Sequence, residues 1–426
     1  MAGSSQRKFI VATWECGGSV GPALTVARKL VEAGHDVRVM SDACNRPEAE
    51  ATGSRFAAWT RAPSRPDRSK DSDILRDWDT DDQKESFARA INSLIAGPAQ
   101  GYADDLIEEL ERESADLVVT SDMLLGVMTG AEAAGVPFAL LPCNALITTV
   151  KGAIEGGMLQ YFEANPPSDP VMAMKAGMLK AMNEAMAGGI PPLNAARTTL
   201  GLPPVDSLFQ QLHPAKKTLM AVSKAFEGAP EQDLPGIVFI GPQLDEPGWA
   251  EPWQSPWPSD DERPLVLVSF STSFQNQAKV LQTVIDALGS LPVRGLVTLG
   301  PTIAPEELTA RDNVIVVQSA PHEQVMKQTN LLVTHGGFGT LARALAHRLP
   351  AVVMPMGRDQ GSNAEKVMLH SAGLVLPPHA DPAMIAGAVQ KVLADPAFAE
   401  AAGRLGDAIG REMRESRVVE ELEALT

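Results

Sequence analysis

A chain of 426 residues exceeds what one hydrophobic core usually serves, so two domains are expected. Its 44% hydrophobic and 21% charged residues, with 35 glycines and 33 prolines, describe a globular α/β protein with many loops and exclude a disordered or fibrous chain. A formal charge of −17 and an aromatic share of 5% argue against nucleic-acid or anionic-membrane partners, yet a small anion could still be held by backbone amides at a helix start.

In chain order, Phe9 to Trp14 reads as a buried strand. Glu15 ends this apolar run too early for a signal-peptide core, so no export is expected. A glycine-rich turn, Cys16 to Gly21, leads into a helix from Pro22 to Ala33 that Gly34 stops. Strands are expected at Asp36 to Met40, Leu117 to Thr120 and Pro137 to Leu141, with a helix at Leu124 to Ala134. Thr60 to Glu85, charged and turn-rich, reads as a loop, either a solvated excursion or a gate over substrate. Ala133 to Val150 nearly reaches spanning length, but Gly135, Pro137, Pro142 and Asn144 break it, so no membrane span is expected.

Methionines concentrate between Gly152 and Gly188. Met174, Met178 and Met182 recur at helical spacing, which suits core packing or the pliable wall of an apolar pocket. Gly241 to Pro264, rich in proline and carrying Trp249, Trp253 and Trp257, reads as an interdomain linker. Beyond it, strands are expected at Leu265 to Ser269, Gly295 to Leu299, Val314 to Val317, Leu331 to Thr334 and Ala351 to Met354. Strands alternating with helices in both halves imply two parallel, doubly wound sheets. The three cysteines, Cys16, Cys44 and Cys143, are odd in number and far apart, which suits a reducing cytoplasm and suggests neither a disulfide framework nor a zinc set.

The most informative stretch is Leu331-Leu-Val-Thr-His-Gly-Gly-Phe-Gly-Thr340, a strand running into a glycine-rich turn that opens a helix. Gly336, Gly337 and Gly339 would let backbone approach a diphosphate, with the helix dipole favouring its charge. The next strand ends in Asp359 and Gln360, and parallel strands deliver both turns to one carboxyl edge. A carboxylate beside an amide offers acceptors and donors to sugar hydroxyls.

This stretch resembles the donor-binding signature of the nucleotide-sugar-dependent glycosyltransferases of plant secondary metabolites and bacterial natural products. Leu265-Val-Leu-Val-Ser-Phe-Ser-Thr272, Gln318-Ser-Ala-Pro-His322, Gly18-Ser-Val-Gly-Pro22 and Leu193 to Pro204 extend the likeness over nearly the full chain. The resemblance implies the two-domain GT-B fold. Residues 1–240 would bind acceptor, 241–264 would link, and 265–426 would bind donor, with the last helix packing back on the first domain. It also implies a metal-independent transfer from a nucleotide diphosphate sugar. The expectation is inverting hexosyl transfer from a UDP- or dTDP-sugar such as UDP-glucose to a small apolar acceptor, with no further cofactor, in a monomer or homodimer. Donor contacts would come from Ser271, Thr272, Ala320, His335, Gly336, Gly337, Gly339, Thr340, Asp359 and Gln360.

The sequence departs from that family in its first turn, where Ser19 stands in place of the catalytic histidine. A serine hydroxyl is no general base near neutral pH. Asp122 matches the acidic residue that orients the family's histidine and could act directly, or it could cap the following helix. Glu15 is the second candidate base, with solvent exposure as its alternative. Arg343 replaces a ribose-contacting glutamate and would face either solvent or phosphate, and Ser319 replaces a base-stacking tryptophan. These departures keep C-glycosylation of an electron-rich aromatic and a non-catalytic donor-binding partner open beside O-transfer. A phenolic acceptor is favoured over an aliphatic alcohol, because it asks less of a weak base.

Overall fold

The computed structural model describes residues 6–16, 18–80, 82–229, 235–245, 253–271 and 273–426. Seven parallel strands form the first sheet: β1 (Lys8–Ala12), β2 (Asp36–Ser41), β3 (Arg55–Ala58), β4 (Leu117–Thr120), β5 (Phe138–Leu140), β6 (Thr218–Met220) and β7 (Ile237–Phe239). Its spatial order is β3-β2-β1-β4-β5-β6-β7. Six parallel strands form the second: β8 (Leu265–Ser269), β9 (Arg294–Thr298), β10 (Val314–Val317), β11 (Leu331–Thr334), β12 (Ala351–Val353) and β13 (Gly373–Val375), in the order β10-β9-β8-β11-β12-β13. The expected strands are present with ends shifted by a residue or two. The sequence reading passed over β3, β6, β7 and β13, which are only three or four residues long.

Each sheet is covered on both faces, which is why its strands read as unbroken apolar runs. Along β1, Phe9 and Val11 pack to one side and Ile10 and Ala12 to the other. Along β8, Leu265 and Leu267 oppose Val266 and Val268 in the same way. The C-terminal end of the chain returns to the first sheet, where Val418 and Leu422 are buried against Phe9 and Leu117. Lys217–Glu421 at 2.6 Å and His35–Glu423 at 2.9 Å fasten it there.

The methionine-rich segment folds into helices Leu146–Glu155, Met158–Ala164 and Pro170–Thr199. Core packing describes only part of it. Met182 and Met186 are buried in the first domain's core and Met178 packs against it, whereas Met158, Met172 and Met174 are exposed. The stretch from Thr60 to Glu85 remains mostly irregular, yet it is docked rather than solvated. Trp78 meets the Phe274 ring edge-on at 4.8 Å, and Lys70 Nζ lies 4.5 Å from the centre of that ring.

Candidate active site

In both sheets the strand order reverses beside the first strand, between β1 and β4 and between β8 and β11. Open parallel sheets bind ligands outside the carboxyl ends of strands at such switch points. Registers of Ala12 with Thr120 and of Ser269 with Thr334 bring the paired strand ends level. The turns that follow them line one cleft of about 1130 Å³, with Glu15, Ser19 and Asp122 from the first sheet and Ser271, His335 and Gly337 from the second. That volume exceeds the usual range for one small ligand and suits two.

Asp122 leaves β4 two residues beyond its end and is 5% exposed. It caps no helix. The next helix, Leu125–Ala134, has Leu124 at its N-cap with no side-chain cap bond. Asp122 Oδ1 lies 3.4 Å from Ser121 Oγ, and among the described residues Oδ2 has no hydrogen-bond partner. Burial therefore dominates and pushes its pKa up to about 7, against smaller lowering by its own amide and Ser121. Cys143 sits beside it, with Sγ 3.8 Å from the Ser19 carbonyl oxygen and its own pKa raised by burial and by Asp122.

Ser19 precedes helix Val20–Glu32, and its side chain makes no cap bond. Glu15 is not solvated. Its side chain is 6% exposed and pairs with Arg68 at 3.1 Å, so a guanidinium already holds the charge a base would use.

Across the cleft, His335 follows β11 and its ring stacks on Phe270 at 5.9 Å. Burial first, and the Arg358 charge second, push its pKa down to about 3, which keeps the imidazole neutral. The three glycines after it differ in what they answer to. A Cβ at Gly336 would stand 2.8 Å from Val353 Cγ1 at φ +98, and one at Gly337 would stand 2.8 Å from His335 Nε2. Those two are demanded by packing. Gly339 faces open space, within the first turn of helix Phe338–Ala346. Gly337, Gly339 and Thr340 line the cleft, while Gly336 sits behind it.

Ser271 Oγ is bonded within its own loop, to Ser273 Oγ at 3.1 Å, and Thr272 lies outside the described residues. Ser319 and Ala320 line the cleft beside His322, whose pKa burial pushes down to about 4. Arg343 does not face solvent. It is 16% exposed, and Nη2 donates to the Asp245 carbonyl at 2.9 Å.

Asp359 lines the cleft, and Asn363 donates to its Oδ2 at 3.0 Å. Burial raises its pKa. Gln360 differs from expectation, because its amide is used up inside the protein. Oε1 accepts from the amides of Met356 and Gly357 at 2.8 and 3.2 Å, and Nε2 donates to Gln275 at 2.9 Å.

Comparison with known proteins agrees with this fold. Residues 282–425 match the family described as erythromycin biosynthesis protein CIII-like, C-terminal domain. The 4'-demethylrebeccamycin synthase of Lentzea aerocolonigenes is 27% identical over 423 residues, covering 94% of this chain and 95% of that protein. The crystal structure of the glycotransferase of kitacinnamycin superposes with a TM-score of 0.74 at 20% identity over 99% of both chains. Glycosyltransferase VinC, solved in complex with dTDP, gives 0.63 at 18% over 98% of both. The chain has the GT-B fold of glycosyltransferases.

On its first-domain side the cleft has an apolar stretch. Ile91, Leu94, Ile147, Met182, Met186 and Phe209 line it. Two cleft residues, Arg358 and Asp77, are not marked by any sequence motif, and Ser273 joins them through its bond to Arg358. Arg358 directly precedes Asp359 and Gln360, so adjacency alone could have marked it. Asp77 lies 281 positions away from Arg358, and no local pattern announces the pairing. Among the described residues, no three histidine, cysteine, aspartate or glutamate side chains gather as a metal-binding set, and no helix is long and apolar enough to cross a membrane.

Proposed function

We propose that this glycosyltransferase moves a hexose, glucose or a near relative, from a UDP- or dTDP-sugar to an aromatic hydroxyl, with inversion and with Asp122 as the base. The observation that carries the reading is the buried Asp122 carboxylate with an unpartnered oxygen and a pKa near 7, lining the same cleft as the Phe338–Ala346 helix start. A base poised near the working pH is the best compromise between being deprotonated and being able to take a proton. No histidine is needed between it and the acceptor, which accounts for Ser19.

In this mechanism the acceptor sits against residues 1–240, among Met182, Met186 and Phe209, and the donor against residues 265–426, with 241–264 linking the two. Asp122 Oδ2 takes the phenolic proton as the oxygen forms its bond to the anomeric carbon. The bond from that carbon to the diphosphate breaks on the opposite face, and its electron pair leaves with the nucleotide. The amides at the helix start and its dipole meet the developing charge, with neutral His335 alongside, so no metal ion is required of the protein. Asp359 receives sugar hydroxyls, and Gln360 shapes the loop that presents it. The dTDP in the VinC complex supports the nucleotide class. Three free cysteines fit a cytoplasmic setting.

The test is an acceptor panel of phenols, anilines and aliphatic alcohols with UDP-glucose and dTDP-glucose, read by mass spectrometry with Asp122→Asn in parallel. Transfer to phenols, giving acid-labile O-glycosides and lost in the variant, is expected. An acid-stable product would mean attack by carbon, and an undiminished variant would remove Asp122 from the chemistry.

A further inference from the structure

The loop from Thr60 to Glu85 belongs to the first domain, but its Asp77 reaches the sugar-side loop of the second. Arg358 Nε and Nη2 donate to Asp77 Oδ2 and Oδ1 at 2.7 and 3.2 Å, and Nη1 donates to Ser273 Oγ at 2.6 Å. The two paired side chains are 19% and 11% exposed. A bidentate, mostly buried pair of this kind is geometrically exacting, and losing one partner strands a charge. Arg358 also takes a left-handed backbone, φ 55, unfavourable for a residue with a side chain unless its surroundings impose it.

Arg358 sits between two other anchors. Gln360 holds the amides of Met356 and Gly357, and Asn363 ties Asp359 to the Gly336 carbonyl. Every polar side chain from Arg358 to Gln360 except Asp359 is thus bound to protein through all its principal groups, and Asp359 keeps carboxylate lone pairs for the cleft. Leu75 and Asp77 line that cleft together with Phe87 and Ile91, so the segment that shapes the apolar side also holds the sugar side.

Building on the function proposed above, we propose that Asp77 is a positioning residue for donor-sugar recognition, which sets the Asp359 carboxylate from the acceptor-domain side through Arg358. Among the described residues, Arg358 and Asp77 bond to each other and to Ser273, and not to the Phe338–Ala346 helix start. Loss of this pair should therefore spoil recognition of the sugar and spare recognition of the nucleoside diphosphate.

The experiment compares wild type with Asp77→Asn, Arg358→Lys and the exchanged double variant Asp77→Arg/Arg358→Asp. Calorimetry gives Kd for UDP and dTDP, and steady-state kinetics give KM and kcat for UDP-glucose and dTDP-glucose. Each single variant is expected to keep the diphosphate Kd within about twofold while donor kcat/KM falls tenfold or more. The double variant should recover part of that loss, aspartate being tolerant of the left-handed backbone. Asp77→Asn with unchanged donor kinetics overturns the proposal, as does equal weakening of diphosphate and sugar nucleotide in parallel with a lowered Tm, the mark of a structural role. Should Arg358→Lys fail to fold, Asp77→Asn on the irregular loop decides alone. A wild-type protein that takes sugar from neither donor overturns the proposed reaction itself, a result distinct from a working wild type with an indifferent Asp77→Asn.

Discussion

Asp122→Asn separates catalysis from stability, because burial acts on the two in opposite directions. In the unfolded chain the carboxyl titrates near its ordinary 3.8, and folding pushes it up to about 7. The folded protein therefore resists ionisation that the unfolded chain accepts, so the aspartate's destabilising effect is absent below the unfolded value and grows as pH rises towards 7. A displacement of about 3 units, at 1.36 kcal/mol each, puts the cost on the order of 4 kcal/mol at pH 8, about 2 kcal/mol at pH 5 and little below pH 4. Asparagine never ionises and loses no partner at the site of Oδ2, which has none among the described residues. Asp122→Asn should therefore raise Tm by several degrees at pH 8, with the gain shrinking towards pH 4, while turnover falls roughly 100-fold or more. Differential scanning calorimetry across pH, beside kcat at a fixed temperature, reads both. The wild-type kcat/KM profile should also lose its upper plateau as pH drops through about 7, where the carboxylate takes up its proton. A Tm that drops in the variant at every pH would refute the burial argument, and full turnover would refute the role of base.

The remaining expectations address the donor side and the acceptor. His335→Ala should weaken UDP or dTDP binding by about 1.5–3 kcal/mol, the range for a hydrogen bond to a charged group, as measured by calorimetry on a folded variant. Excess EDTA should leave turnover nearly intact, and activity lost on chelation and restored by Mg²⁺ or Mn²⁺ would oppose the proposed role of the helix start. Gly339→Ala should fold normally, since its Cβ would meet open space, and should lower donor affinity, whereas Gly336→Ala should lower Tm because its Cβ would meet Val353 at φ +98. Phenols should be turned over ahead of aliphatic alcohols. Transfer from a phenol near pKa ~10 to a base near 7 costs about 4 kcal/mol, and an alcohol several units higher adds about 1.4 kcal/mol per unit.

What the sequence disclosed was what is periodic or local. Strands such as Leu265–Ser269 and Leu331–Thr334, buried on both faces, are written as apolar runs and appear where they were expected. The turns that follow them carry glycine, and the strand alternation alone places Asp122, His335 and Asp359 at the carboxyl edges of two sheets. The charges themselves were not legible. Nothing local says that Glu15 is paired with Arg68, 53 positions away, or that Asp122 Oδ2 has no hydrogen-bond partner among the described residues. A glycine-rich motif likewise hides which glycines packing demands and which face open space, a distinction that needed the positions of Val353 and His335. Gln360 shows the same limit from the other side. Its place next to Asp359 suggested a shared task, but its amide is bound to the backbone of Met356 and Gly357 and to Gln275. Asp77 makes the case most sharply, since it lies in a charged, aperiodic stretch whose composition reads equally as a solvated excursion or a gate and names no partner. Only the approach of the two sheets brings its carboxylate to Arg358 and turns a surface-like segment into a wall of the cleft. A chemistry split between two domains is encoded in pairs too distant for spacing to reveal, and each half remains readable only as a fold.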